Sequence, residues 1–233
     1  MADAVKTVDL KKAYRTEAGD LEVLHGVNFE MDEGEFTAIM GPSGSGKSTF
    51  MNIVGCLDVA TGGECLLMGE SVKNLSPDRL AARRNKFIGF VFQGYNLLPK
   101  ADLLENVALP LLYARVPARE RRKRAMAELE KVGLAKWSRH HPGQVSGGQQ
   151  QRAAIARALV GKPGLILADE PTGNLDSQTS DEIMSLLTKL NDDGATLILV
   201  THEPDVAACA KRIVRFRDGL LVEDAPVAER RVV

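Results

Sequence analysis

Aromatic side chains are scarce in this chain, making up 5% of its 233 residues with a single tryptophan. Platforms for stacked nucleic-acid bases are therefore few. Charge supplies no substitute, because 30 Lys and Arg stand against 31 Asp and Glu. A formal net charge of -1 gives no bulk field to gather polyanions or anionic lipid, so nucleic acid is not an expected partner. Cysteine is equally thin. Cys56, Cys65 and Cys209 are odd in number, widely spaced and form no C-x-x-C, which argues against a disulfide framework and for free thiols in a reducing cytosol. No run of about 18 apolar residues occurs, so no segment reads as a spanning helix. Met1 to Lys6 carry neither an apolar signal core nor a lipidation motif. The expectation is a soluble, cytoplasmic chain of one large domain, long enough for a full core.

What the chain does have is concentrated at Gly41-Pro42-Ser43-Gly44-Ser45-Gly46-Lys47-Ser48-Thr49, which fits the phosphate-loop pattern G-x-x-x-x-G-K-[S/T]. Before it, Glu35 to Met40 is short, apolar and partly β-branched, and reads as a buried strand. After it, Thr49 to Leu57 is rich in Phe, Met, Ile, Val and Leu, and reads as a helix. Gly41, Gly44 and Gly46 let the backbone bring its N–H groups against phosphate oxygens. Lys47 can reach β- and γ-phosphates, Ser48 can offer a hydroxyl to Mg²⁺, and the positive end of the helix faces the same anion. This combination predicts binding of a nucleoside triphosphate.

The rest of the chain arranges itself around that loop. Residues 5–10 and 21–31 read as short strands of an antiparallel sheet with one covered face, joined by a polar turn from Arg15 to Asp20. Tyr14, from the residues alone, reads as a half-buried sheet tyrosine. Glu64 to Met68 reads as a strand, and Phe87 to Phe92 as a second buried strand ending at Gln93. Pro117 opens a helix from Ala118 to Val132 whose arginines read as solvent-facing. Ser146 reads as the N-cap of an alanine-rich helix entered through Gly147 and Gly148. Two glycines there cost stability and point to a close backbone approach, with an anion as the natural candidate. Leu165 to Ala168 reads as a third buried strand with Asp169 and Glu170 at its carboxyl end, where paired carboxylates suit a metal and a base. Asp176 caps the next helix, Ser177 to Leu190, and Thr196 to Thr201 is a fourth strand that puts His202 at its end. Asp218-Gly219 marks a hairpin, and Ala225 to Val233 reads as a frayed tail.

Ser146-Gly147-Gly148-Gln149, placed ahead of Leu165 to Glu170, completes a set that resembles the ATP-binding-cassette ATPases. The phosphate loop, Gln93, the serine-glycine-glycine helix, Asp169-Glu170, Asn174-Leu175-Asp176 and His202 follow that family's order over essentially the whole chain. Val91 to Pro99, Leu104 to Pro110 and Ala168 to Asp176 are similar to the macrolide-exporter, lipoprotein-release and cell-division subgroup. Ser146 to Arg152 leans towards the macrolide-exporter branch, while Lys100-Ala101-Asp102 departs from the apolar stretch expected there.

The resemblance implies an α/β fold of the phosphate-loop NTPase type. It has a RecA-like, mostly parallel sheet, an N-terminal antiparallel β subdomain and an inserted α-helical subdomain. Residues 1–233 would form one domain, with 94–160 helical and 1–93 with 161–233 making the core. It implies ATP and Mg²⁺ as cofactors. Tyr14 would stack on adenine, Gly41 to Thr49 would hold the phosphates, and Ser48, Gln93 and Asp169 would serve the metal. Glu170 would polarise the attacking water, with Lys47, Gln93 and His202 at the γ-phosphate. Ser146, Gly147, Gly148, Gln149 and Asp176 would close over the ATP of a second copy in a head-to-tail dimer. A separate transmembrane permease, in some assemblies with a periplasmic adaptor, would be the other partner, placing the chain on the inner face of the membrane. The alternative is a soluble ATPase of the same fold acting on DNA or ribosomes, but the coiled coil, second cassette or basic arm of such proteins is missing. An unrelated GTPase would carry N-K-x-D, whereas Asn85-Lys86 continues with Phe87-Ile88.

Overall fold

Continuous apolar runs and alternating ones sort the strands into two different sheets. The computed structural model describes residues 3–17 and 19–233. In chain order it runs β1 (Asp3–Thr16), β2 (Gly19–Asp32), β3 (Phe36–Met40), α1 (Lys47–Val54), β4 (Gly62–Leu67), β5 (Glu70–Ser71), α2 (Pro77–Phe87) and β6 (Ile88–Phe92). It continues through α3 (Leu103–Tyr113), α4 (Ala118–Lys131), α5 (Gly147–Leu159), β7 (Leu165–Asp169), α6 (Ser177–Asp192), β8 (Leu197–Val200), α7 (Pro204–Ala207), β9 (Arg212–Arg217) and β10 (Leu220–Pro226).

The half-buried strands form an antiparallel sheet in the order β2-β1-β4-β5. The second sheet runs β10-β9-β3-β8-β7-β6 and has the buried strands β3, β8 and β7 at its centre; β9, β3, β8, β7 and β6 are parallel and β10 is an exposed antiparallel edge. Every residue of β3 and β8 is buried, as expected of a parallel strand covered on both faces. Three apolar cores result. One, around Phe50, Phe29 and Phe216, joins the two sheets across α1. A second packs α6 and α7 on the other face of the parallel sheet. A third, with Leu103, Val107, Leu129 and Ala153, is built from α3, α4 and α5. Helix α5 serves both of the last two cores, giving Ile155 and Ala158 to the sheet and Ala153 and Ala156 to the helices.

The first hairpin is longer than its apolar residues suggest. Cross-strand pairing continues to Thr16 opposite Gly19, beyond the buried stretch, so only the region around Ala18 separates the strands, and Ala18 lies outside the described residues. Helix α1 ends earlier than expected, at Val54, because Cys56 takes a left-handed conformation (φ 53°). Lys100-Ala101-Asp102 is explained from within. Asp102 caps α3 in a reciprocal box with Glu105 and pairs with Arg139 at 3.2 Å. The buried Asn106 amide bonds the carbonyls of Leu98, Ala101 and Asp102.

The tail is not frayed. Val227 N donates to Lys211 O at 2.9 Å, and Arg230 reaches Cys209 O at 2.6 Å and Asp192 at 3.0 Å. Arg231 pairs with Asp181 at 2.9 Å. These partners lie on α6 and in the segment between α7 and β9, far back in the chain, which is why a local reading of a short polar end missed them.

Candidate active site

The parallel strands all deliver their carboxyl ends to one edge, and the order β3-β8-β7-β6 sets four loops side by side there. The loop after β3 is the phosphate loop. Gly41 has φ 147°, and a Cβ there would lie 2.2 Å from the Phe216 carbonyl oxygen on β9. At Gly46 (φ 101°) a Cβ would lie 2.9 Å from Leu24 Cδ2 and 3.1 Å from the Val23 carbonyl oxygen. Only glycine fits either position, so the loop is clamped between the two sheets. The turn at Asp218-Gly219 completes the clamp, with Gly219 N donating to Ser45 O at 3.1 Å and His25 N to Gly219 O at 3.0 Å. Pro42, Ser43 and Gly44 form the exposed crest of the loop, and Ser48 is exposed on the first turn of α1.

Helix α1 starts at Gly46 with no side-chain cap and no acidic residue in its first turn. Helices α3, α5 and α6 each have one, from Asp102, Ser146 and Asp176. The first N–H groups of a helix have no intrahelical acceptor, so α1 presents them to an incoming anion. Lys47 Nζ donates to the carbonyls of Gly41 and Pro42, both at 2.8 Å. Burial pushes its pKa down, while the charges of Glu170 and Asp169 pull it back up. The cation and both carboxylates thus share one electrostatic site.

Asp169 ends β7. Burial, then the neighbouring Glu170 charge, push its pKa up against the pull of Lys47. Glu170 itself has φ 44°, a left-handed conformation that is strained for a non-glycine residue. It is held there by its N–H bond to Val200 O at 2.9 Å and by Gly173 N donating to its carbonyl at 3.1 Å. The carboxylate lies 2.8 Å from Nδ1 of His202, delivered by the loop after β8. Gln93, after β6, is joined to the same constellation through Asn174. The Asn174 amide donates to Gln93 O at 3.0 Å, and the Gln93 amide to Asn174 Oδ1 at 3.4 Å. Tyr14 stands at the β1 end beside this loop, 37% exposed.

Comparison with known proteins decides the family. Residues 24–173 match the family model described as ABC transporter. The chain belongs to the ABC transporter family. As a member it is an ATP-binding, ATP-hydrolysing cassette with the expected phosphate-loop fold. It is 51% identical over 218 residues to the ABC transporter ATP-binding protein YknY of Bacillus subtilis, covering 94% of this chain and 95% of that protein. It is 51% identical over 222 residues to the macrolide export ATP-binding/permease protein MacB of Syntrophobacter fumaroxidans, covering 94% of this chain but 31% of that larger protein. Among solved structures it is similar to the dimeric ATP-binding cassette MJ0796 bound to ADP and Pi, with a TM-score of 0.87, 46% identity, and 96% and 98% of the two chains covered.

In this ABC cassette the close approach expected of Gly147 and Gly148 is made inside the chain. A Cβ on Gly147 would meet the Tyr95 hydroxyl at 2.7 Å, and one on Gly148 would meet Thr179 Cγ2 at 2.4 Å. Thr179 in turn donates its hydroxyl to Asp176, the N-cap of α6, at 2.7 Å, and Ser146 and Gln149 form a reciprocal capping box at the start of α5. Gly148→Ala should therefore lower the melting temperature by about 3–8 °C through overpacking. Adding Thr179→Ser, which removes the opposing methyl but keeps the hydroxyl, should restore most of the loss in a thermal melt. An unchanged melting temperature in Gly148→Ala would show that packing does not require this glycine.

Two site residues escaped the sequence. Gln151 is fully buried and donates to the Pro171 carbonyl at 2.6 Å, tying α5 to the loop after Glu170. Arg157 reaches the carbonyls of Tyr95 and Asn96, both in left-handed conformations, and fastens the segment after Gln93 to the same helix. Asn174 was seen only as part of a motif. A polar side chain on the buried face of an alanine-rich helix was the available signal for Gln151 and Arg157.

Proposed function

We propose that this chain binds MgATP between two copies of itself and uses its hydrolysis to drive a separate membrane permease. Two observations support the hydrolytic half: the uncapped helix behind the phosphate loop, and the row of strand ends that sets Lys47, Asp169 and the Glu170–His202 pair at one edge. In this reading the α1 N–H groups and Lys47 take the phosphates and Tyr14 takes the adenine. Glu170, oriented by His202, directs a water at the γ-phosphorus. The water oxygen bonds to phosphorus, the bond to the bridging oxygen breaks, ADP leaves with that electron pair, and the water proton passes to the Glu170 carboxylate.

The donors for magnesium are the Ser48 hydroxyl, the Gln93 amide oxygen and the Asp169 carboxylate, an all-oxygen set that suits this ion. Among the described residues no three His, Cys, Asp or Glu cluster into a metal cage, which fits a cation that shares its shell with substrate phosphates. When bound, it neutralises charge on the β- and γ-oxygens. Ser146, Gly147, Gly148 and Gln149 open α5, and Asp176 opens α6 beside them. We assign this face to the ATP of the second copy, and residues 94–160 to a lobe that moves with it.

The coupling half rests on a cleft of about 1020 Å³ between α2, β6 and α3, lined by Ala82, Ile88, Phe90, Pro110 and Tyr113 among others. Tyr113 is 71% exposed at its rim and Leu112 beside it 49%, an apolar edge suited to a short helix of a membrane partner. Among the described residues no helix is long and apolar enough to cross a membrane; in this reading the short helix belongs to the permease. A periplasmic adaptor, lying across the membrane, would meet the permease and not this chain. Neither the relatives nor the charge balance favours action on DNA or ribosomes. A photo-crosslinker attached at Tyr113→Cys should yield, in native membranes, an adduct with an integral membrane protein that needs detergent for extraction. Adducts confined to soluble proteins or nucleic acid would contradict the coupling role.

A further inference from the structure

Tyr14 is held from behind. Its hydroxyl donates to Asp58 Oδ2 at 2.9 Å, and the Lys12 ammonium lies 4.6 Å from its ring centroid. Lys12 is only 6% exposed, rare for a lysine. Its Nζ donates to Asp58 Oδ1 at 2.6 Å and to Val59 O at 2.8 Å. Val59 N closes the turn on Asp58 Oδ1 at 2.7 Å. A bulge in the β1–β2 ladder falls between Lys12 and Ala13, the kind of irregularity that re-aims a side chain. The ring is thereby tied to the loop after α1.

A buried ion pair gains little net stability over an apolar pair of the same shape. What Lys12 and Asp58 do supply is geometry. The cation occupies one face of the ring, where the aromatic quadrupole favours it, and the carboxylate fixes the hydroxyl. Only the opposite face is left open to a ligand.

We propose that Lys12 and Asp58 are positioning residues for the nucleotide base: together they lock the Tyr14 ring so that its free face lies parallel to the incoming adenine. The inference rests on the reading of Tyr14 as the adenine platform and goes beyond it by naming what aims the platform. Neither residue touches the nucleotide in this account, and neither acts on the phosphates.

Calorimetry with ADP and with pyrophosphate, which lacks the base, separates this role from general damage to the site. Asp58→Asn and Lys12→Met should each weaken ADP about tenfold, within what a lost base–aromatic stack can cost, while pyrophosphate affinity stays within about twofold. Lys12→Arg should recover most of the ADP affinity. In a Tyr14→Phe background, where the hydroxyl is gone, Asp58→Asn should add little, because the two changes remove one linkage. Wild-type ADP affinity in both Asp58→Asn and Lys12→Met, or equal loss of ADP and pyrophosphate, would overturn the proposal. If Asp58→Asn fails to fold, the Lys12→Met and Lys12→Arg pair decides alone. Tyr14→Ala distinguishes the two levels. Unchanged ADP affinity there withdraws the platform reading itself, whereas weakened affinity with silent Lys12 and Asp58 variants overturns only their role.

Discussion

Glu170→Gln should retain ATP binding and lose turnover by a factor of about 10²–10⁴, the usual contribution of a positioned general base. The amide has nearly the shape of the carboxylate and can still meet His202 Nδ1 from where Glu170 now does, at 2.8 Å. The strained backbone at φ 44° is fixed by main-chain bonds to Val200 and Gly173, which the substitution leaves alone. What disappears is the negative charge that orients water and accepts its proton. Bound ATP then persists, and so does any assembly that depends on it. Phosphate release under saturating MgATP is the direct readout, and an undiminished rate would remove Glu170 from this role.

Lys47→Ala should weaken nucleotide affinity by about 10²-fold, because a buried ammonium donating to phosphate oxygens makes charge-assisted bonds of roughly 1.5–3 kcal/mol each. The Lys47 ammonium already sits against the Gly41 and Pro42 carbonyls at 2.8 Å, so the group is poised at the loop and little ordering remains to be done on binding. Removing it also leaves Asp169 and Glu170 without the Lys47 charge that offsets them. The α1 N–H groups remain and account for residual binding. Calorimetry that returned wild-type affinity would contradict the assignment of the phosphate loop.

The parts of this site that were legible in the sequence are those encoded by neighbours along the chain. The glycine spacing around Lys47, the apolar strand before Asp169 and the Asp218-Gly219 turn each carry their own local signature. The parallel strands at the sheet's centre were legible because both their faces are buried, so β3, β7 and β8 are almost entirely apolar. What remained hidden are pairings between polar side chains far apart in the sequence. Arg230 and Arg231 looked like a solvated end until their carboxylate partners on α6 came into view. Gly147 and Gly148 pointed to a close approach, but nothing local named Tyr95 and Thr179 as what approaches. Nothing local named Lys12 and Asp58 as a pair, since a buried pair has the same composition as an exposed one. The family resemblance supplied the order of the motifs; the pairings that hold them in register required the structure.

The central claim is that ATP is the joint between two copies, and sedimentation of the Glu170→Gln protein saturated with MgATP tests it most directly. The account predicts a species of twice the chain mass that reverts to single chains when the nucleotide is removed. A single-chain species alone, under full saturation, would contradict it.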